Sequence, residues 1–407
     1  MARGVVTHHI LSCGLQTLGC HHLPHHNKNN ACRRPQRRLS CKATINTVDR
    51  RDVLLGGAAA AAGLAATQHR DSALAAPIRP PDLGTCRPVQ HDVAQLRDIN
   101  CCPPYCPTTE IVDFEPPPAS SPLRVRRAAH LLVDDEAYLD KYETAVARMK
   151  ALPDDDPRSF SQQWRVHCAY CEGAYPQAGI PDREIQIHSS WLFFPWHRLY
   201  LYFHERILGK LIGDDTFALP FWNWDAPDGM TFPAIYTNEF SLLYNKKRNP
   251  MHQPPVTVDL DYGAPGDNPR LPKDKLIKRN LNIMYRQMVS GAKAQKLFFG
   301  HRYCQGDKPN PGAGTIEKQP HNLVHNWTGD PRLGNCGEDM GVLGTAARDP
   351  VFFAHHGNID RMWDIWKNHK PSPEWPANTD ITELDWLDAS FLFYDEEARP
   401  VRVRVRD

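Results

Sequence analysis

The sequence predicts a mainly α-helical protein: a four-helix bundle that presents histidines from facing elements, preceded by an extended, disulfide-tied arm and followed by a short strand region. Three observations predict it. Histidines recur at helix-compatible spacings in aromatic-rich segments, cysteines and prolines crowd residues 86–118, and Val alternates with Arg from Val401 to Arg406. A chain of 407 residues with 41% hydrophobic side chains can build one large or two modest domains. Its 36 prolines, about 9% against an ordinary ~5%, exclude a uniform helical repeat or a coiled coil. The expected boundaries are a head at 1–75, the arm at 76–119, the helical domain at 120–370, and a linker with the strand region at 371–407.

Residues 1–75 hold ten Lys/Arg against three Asp/Glu, so the net +1 of the chain hides a body at 38 minus 44, or −6. A basic, acid-poor head before a mildly acidic body fits a targeting segment and gives no reason to expect a nucleic-acid partner. Before Asp49 there is no acidic residue, as in organelle transit peptides. Arg50-Arg51 then precede the apolar run Val53 to Ala66, and Ala73-Leu74-Ala75 follows as a small-residue cleavage site, the layout of a twin-arginine signal. The run has 14 residues against the ~20 that cross a bilayer, so no permanent membrane span is expected. The two parts in this order predict a route through the chloroplast to the thylakoid lumen.

In the arm, Cys86, Cys101, Cys102 and Cys106 stand where little apolar sequence exists to hold the chain down, and crosslinks would do so. Disulfides agree with an oxidising destination. The four cysteines leave their own pairing open.

Within the helical domain the densest segment runs from His188 through Trp191, Pro195 and His197 to His204. Nine positions separate His188 from His197, ~2.5 helical turns, which would put them on opposite faces of one helix. His188 therefore belongs in a loop, with Pro195 near the first turn of a helix that carries His197 and runs to about Leu211. His204 lies on the same face ~10 Å further along, too far for the same ion, and is expected to pack. Next, Pro320 opens a helix in which His321 and His325 stand one turn apart and can reach one metal. The glutamate that a zinc protease would place after the first histidine is absent. His355 and His356 follow, and Asp360, one turn beyond His356, is placed to accept the second ring N–H of a metal-bound histidine. His167, beside Cys168 and Cys171, completes three histidines before residue 200 and three after 320. That is the arithmetic of two trigonal sites. Imidazole donors without carboxylates suit copper, and two such ions facing one another can share a dioxygen molecule. The expected cofactor is a pair of copper ions, and the expected activity is oxidation, with a non-catalytic dioxygen carrier as the rival of another class.

These residues resemble the plant polyphenol oxidases, the tyrosinase and catechol oxidase family, over roughly residues 50–407. The resemblance rests on the lumenal signal, Cys101-Cys-Pro-Pro104, both histidine motifs, and Asp385-Trp386-Leu387, which opens the family's next domain. It implies that His167, His188 and His197 bind one copper and His321, His325 and His356 the other, with His355 just outside the ligand set. It also implies disulfides Cys86–Cys102 and Cys101–Cys168 and a thioether between Cys171 and the His188 ring, and gives Cys106, Cys304 and Cys336 no partner. Glu317 matches a glutamate that, with the asparagine here at Asn322, is thought to hold a water and is associated in some members with deprotonating monophenols. The implied substrates are small phenols and dioxygen, with o-quinones as products.

Two departures carry further expectations. Where the family has a phenylalanine over the second copper, in Gly-Asn-Phe-Tyr-Ser, this sequence reads Gly341-Val-Leu343-Gly-Thr345, so Leu343 is expected to widen the gate. The sequence stops at Asp407, short of the family's C-terminal shielding domain, so the chain is expected to need no activation. Its terminal Val/Arg strand is expected to lack partners and to expose an edge prone to aggregation.

Overall fold

The computed structural model describes residues 76–89, 99–103, 110–263, 271–332, 336–370 and 376–407; the signals of the head and Cys106 lie outside these residues. The helices that carry or frame the histidines are α1 (Glu136–Ala151), α2 (Phe160–Cys171), α3 (Phe193–Ile212), α4 (Lys273–Tyr285), α5 (Gln295–Phe299), α6 (Asn322–Thr328), α7 (Val351–Lys367) and α8 (Leu384–Leu387). α1 packs on α2 and α3, and α3 packs on α7, which makes the four long helices of the bundle. No helix among the described residues is long and apolar enough to cross a membrane.

Local chemistry sets the helix ends. Asp135 caps α1 by accepting from the Tyr138 N–H at 3.1 Å, and Ser159 caps α2 by accepting from the Gln162 N–H at 3.3 Å. α3 has Pro195 in its first turn and ends at Gly213, whose φ of 71° is the left-handed conformation glycine adopts without cost. Asp349, ahead of α7, accepts from the Val351 N–H at 3.0 Å and is held in turn by Arg248. The turn around Pro320 departs from expectation. A helical turn begins at Glu317, breaks at Gln319 (φ −156°, ψ 124°) and resumes into α6, because proline drives the residue before it out of the helical region.

α3 is buried along most of its length, which marks it as the central helix of the core. Trp196 meets Tyr170 of α2 at 5.3 Å and Phe393 at 5.5 Å between ring centroids, with Tyr200 alongside at 5.0 Å. Each such ring contributes about 1.5–3 kcal/mol by leaving water.

Two short sheets flank the bundle. Pro176–Gln177 (β2) and Ile180–Glu184 (β3) form a small antiparallel pair. Val112–Asp113 (β1), Ser390–Tyr394 (β4) and Pro400–Arg404 (β5) form the other, in the order β1-β5-β4. The strand expected to lack partners is thus the central one: β5 pairs antiparallel with β4 and parallel with β1 from the arm. The alternation is real, with Val401 and Val403 buried and Arg402 and Arg404 exposed. The sheet is sewn to the bundle: Tyr170 Oη accepts from the Leu392 N–H at 3.0 Å, and Trp386 Nε1 donates to the Trp191 carbonyl at 3.0 Å.

The arm is tied down by both expected disulfides, Cys86–Cys102 and Cys101–Cys168, the second anchoring it to α2 one residue from His167. Cys336, left without a partner by the resemblance, is itself disulfide-bonded.

Candidate metal centre

Each histidine of the first group comes from a different element. His167 sits in the last turns of α2, His188 in the loop before α3, and His197 near the start of α3. The three are 1%, 4% and 2% exposed, and one nitrogen from each lies within 4.8 Å of the others. The second group is built from two helical segments. His321 ends the turn before α6, His325 lies within α6, and His355 and His356 are in α7; their nitrogens also converge within 4.8 Å. The groups face each other, since the His197 and His356 rings stack with centroids 4.2 Å apart.

Burial holds all seven rings neutral. It pushes the imidazolium form of His197 down to about 3 and that of His325 to about 4, and lowers His167, His188, His321, His355 and His356 well below the ordinary histidine range. Neutral imidazole is the metal-binding form. Three rings are oriented through Nδ1: that of His197 faces the Phe193 carbonyl at 2.8 Å, that of His325 the Met340 carbonyl at 2.8 Å, and that of His321 the Asn322 Oδ1 at 2.9 Å. An oxygen acceptor at Nδ1 fixes the proton there and leaves a lone pair on Nε2.

A metal fits these donors. Nε2 of His197 and His321, Nδ1 of His356, and both ring nitrogens of His167 and His188 are buried without a hydrogen-bond partner, a concentration of unpaired polar atoms that burial alone would penalise. His325 Nε2 and His356 Nε2 stand 3.3 Å apart. Two nitrogens each about 2.0–2.1 Å from one ion at a tetrahedral angle are about 3.3–3.4 Å apart. The donor set is imidazole throughout, with no carboxylate among the grouped ligand atoms, which suits copper better than magnesium or calcium.

The surroundings meet some expectations and correct others. Glu317 is 2% exposed; its Oε1 accepts from the Ser189 N–H beside His188, its Oε2 is unpartnered, and burial pushes its carboxyl up to about 8. Asn322 turns its carbonyl oxygen to His321 Nδ1, so it orients a ring of the second group. Cys171, buried at the end of α2, stands outside both described disulfides. Gln186 bridges from it to the loop, donating to the Cys171 carbonyl and accepting from the His188 N–H at 2.9 Å. His204 packs as expected, its ring 3.6 Å from that of Phe353.

Asp360 requires a correction. Its carboxylate does not serve the His356 ring; it accepts from Arg126 Nη1 at 2.9 Å and from Arg198 Nε at 2.5 Å. Two guanidinium groups outcompete an imidazole N–H for one carboxylate, and Asp360 thereby ties α7 to α3 beside His197. Leu343 opens a 3₁₀ turn, Leu343–Arg348, that packs on α2, the helix that carries His167 of the first group. Gln186, Arg126 and Trp224, which donates from Nε1 to His355 Nδ1 at 3.0 Å, had no signal in the local spacing.

Comparison with known proteins agrees with this geometry. The common central domain of tyrosinase matches residues 157–369, and the polyphenol oxidase middle domain matches residues 380–407. The chloroplastic polyphenol oxidase of Malus domestica is 55% identical over 381 residues, covering 91% of this chain and 61% of its own length. Aureusidin synthase of Antirrhinum majus is 55% identical over 333 residues, covering 81% of this chain and 57% of its own. The chain therefore spans about three-fifths of the length of such relatives. The crystal structure of Grenache (Vitis vinifera) polyphenol oxidase superposes with a TM-score of 0.76 at 53% identity, covering 82% of this chain and 94% of that one. Several relatives are named chloroplastic, which supports the chloroplast as destination. Matched across its helical domain and its C-terminal sheet, the chain belongs to the tyrosinase family, among the plant polyphenol oxidases.

Proposed function

We propose that this chain is a copper-dependent oxidase that converts o-diphenols to o-quinones with dioxygen, acting in the thylakoid lumen. The observation that carries this reading is the convergence of buried, neutral imidazoles in two facing groups, with unpaired ring nitrogens on His167, His188, His197, His321 and His356. His167, His188 and His197 would hold one copper and His321, His325 and His356 the other. When bound, copper supplies the electron transfer between phenol and dioxygen that side chains cannot. Each catechol gives up two electrons and two protons, so two catechols reduce one dioxygen to two waters.

The chain's own residues bind and orient. The Phe193 and Met340 carbonyls and Asn322 fix three rings, and the Asp360 carboxylate holds the two long helices in register through Arg126 and Arg198. Cys171 would close a thioether to the His188 ring, pinning the loop that Gln186 already ties to α2; peptide mapping should show the crosslinked pair two hydrogens lighter than the separate residues, and a freely alkylated Cys171 in active protein refutes it. Leu343 would form the gate at the first site. A second reading, hydroxylation of monophenols, is favoured by buried Glu317: with its carboxyl raised to about 8, the ionised form offers the unpartnered Oε2 as a base strong enough to take a phenol proton. Lumenal residence is supported by the twin arginine and the apolar run that follows it.

The test is oxygen uptake and quinone absorbance by the copper-loaded chain with catechol and, separately, tyramine. Quinone formation with catechol is expected. Reversible oxygen binding without quinone would make the chain a carrier and overturn the reading.

A further inference from the structure

Four histidines, not three, converge at the second group, and their hydrogen bonds divide them. His321 and His325 each place Nδ1 against an oxygen acceptor, at 2.9 and 2.8 Å, so each keeps its proton there and turns a lone pair inward on Nε2. His355 is the opposite case. Its Nδ1 faces Trp224 Nε1 at 3.0 Å, and an indole nitrogen can only donate. Nδ1 of His355 is therefore an acceptor, and in a neutral ring the proton must sit on Nε2. That atom is buried without a hydrogen-bond partner, among the grouped nitrogens of the second site. Trp224 and His355 are both fully buried, so no water competes for the contact.

We infer that Trp224 is a positioning residue that fixes His355 as the Nε2–H tautomer, so that His355 turns an N–H instead of a lone pair toward the second group and is kept out of coordination. The site is thereby held at three imidazoles although a fourth lies within reach, leaving a position for an exogenous ligand. The assignment deepens the reading of the second group as a metal site and rests on it, but the tautomer itself can be measured without metal.

The test is nitrogen–proton correlation NMR of the full chain labelled at histidine, metal-free and zinc-loaded, with copper content measured in parallel. In the unaltered chain the His355 proton is expected on Nε2 in both states; a proton on Nδ1, or zinc bound at Nε2, overturns the inference. In Trp224→Phe the Nε2–H signal should be lost, and Nε2 should become a zinc ligand. Its persistence would show that Trp224 does not set the tautomer. Should that variant fail to fold, His355→Gln decides: glutamine can accept from the indole and donate onward but brings no imidazole. Two coppers per chain are expected to remain, and a fall to one would make His355 a ligand and overturn the inference. If the unaltered chain binds no copper, the oxidase reading fails, while the metal-free tautomer still judges the role of Trp224.

Discussion

The two histidine groups are organised by different means. In the first, each histidine comes from a separate element, and of its rings only that of His197 has a well-formed hydrogen bond; order is imposed from outside, by the Cys101–Cys168 disulfide next to His167 and by Gln186 between Cys171 and the His188 loop. In the second, the short turn and helix around Pro320 and the long α7 bring the rings together, and a carbonyl, an amide and an indole orient His325, His321 and His355. The difference teaches where each site is vulnerable. The first depends on the chain's long-range ties, the second on single hydrogen bonds around its ligands.

The largest expected effect comes from removing a ligand. His325→Ala should lower the copper content from two to one per chain and abolish catechol oxidation, since the two remaining imidazoles no longer hold the second ion. Copper analysis with oxygen uptake checks this, and full activity would break the ligand assignment for the second group.

Next is the tie that serves the first group. Replacing Cys101 and Cys168 together by Ala opens a loop of sequence separation 67, and a bridge of this kind is worth about 2–4 kcal/mol. Denaturant unfolding should show that loss. If the comparison holds, copper is lost first from the site that contains His167, and equal weakening of both sites would erase the distinction. A smaller effect is expected where a single hydrogen bond is cut. Asn322→Ala removes the nearer of the two acceptors that face His321 Nδ1, leaving the Glu317 carbonyl at 3.3 Å, and orienting partners of this kind are worth up to about 10–100-fold in metal affinity. Chelator competition should show weakening at the second site with global stability nearly unchanged.

Much of this was legible in the sequence, for identifiable reasons. The loop position of His188 followed from a spacing that no single helix accommodates, and the expected helix from Pro195 to about Leu211 lies within Phe193–Ile212 because proline and glycine mark its ends. The period of two from Val401 to Arg406 marks a strand, yet its parallel partner stayed hidden: β1 lies almost 290 positions earlier, and periodicity specifies a face without naming what covers it. Asp360 misled for the same reason. One helical turn puts it near His356, but Arg126, 234 positions away, and Arg198, 162 positions away, claim the carboxylate. Trp224 and His355, 131 positions apart, show no mutual pattern at all.

The smallest effect tests the mouth of the first site. Leu343 is half-buried at the start of a turn packed on α2, the helix that carries His167, and as the proposed gate it would border the approach to the first group. A leucine there offers apolar contact without a ring face. In Leu343→Phe an offset or edge-on contact with a phenol should add about 1 kcal/mol, near fivefold in affinity for small catechols, while catechols with bulky substituents should lose turnover as the opening narrows. The comparison predicts that this substitution alters substrate selection while leaving the orienting hydrogen bonds of His321 and His325 intact, so copper affinity at the second site should not move. Affinity for catechol and for a bulkier catechol, measured beside thermal stability, separates the possibilities: unchanged affinities with lowered stability would reduce Leu343 to a packing residue and remove the gate from the first site.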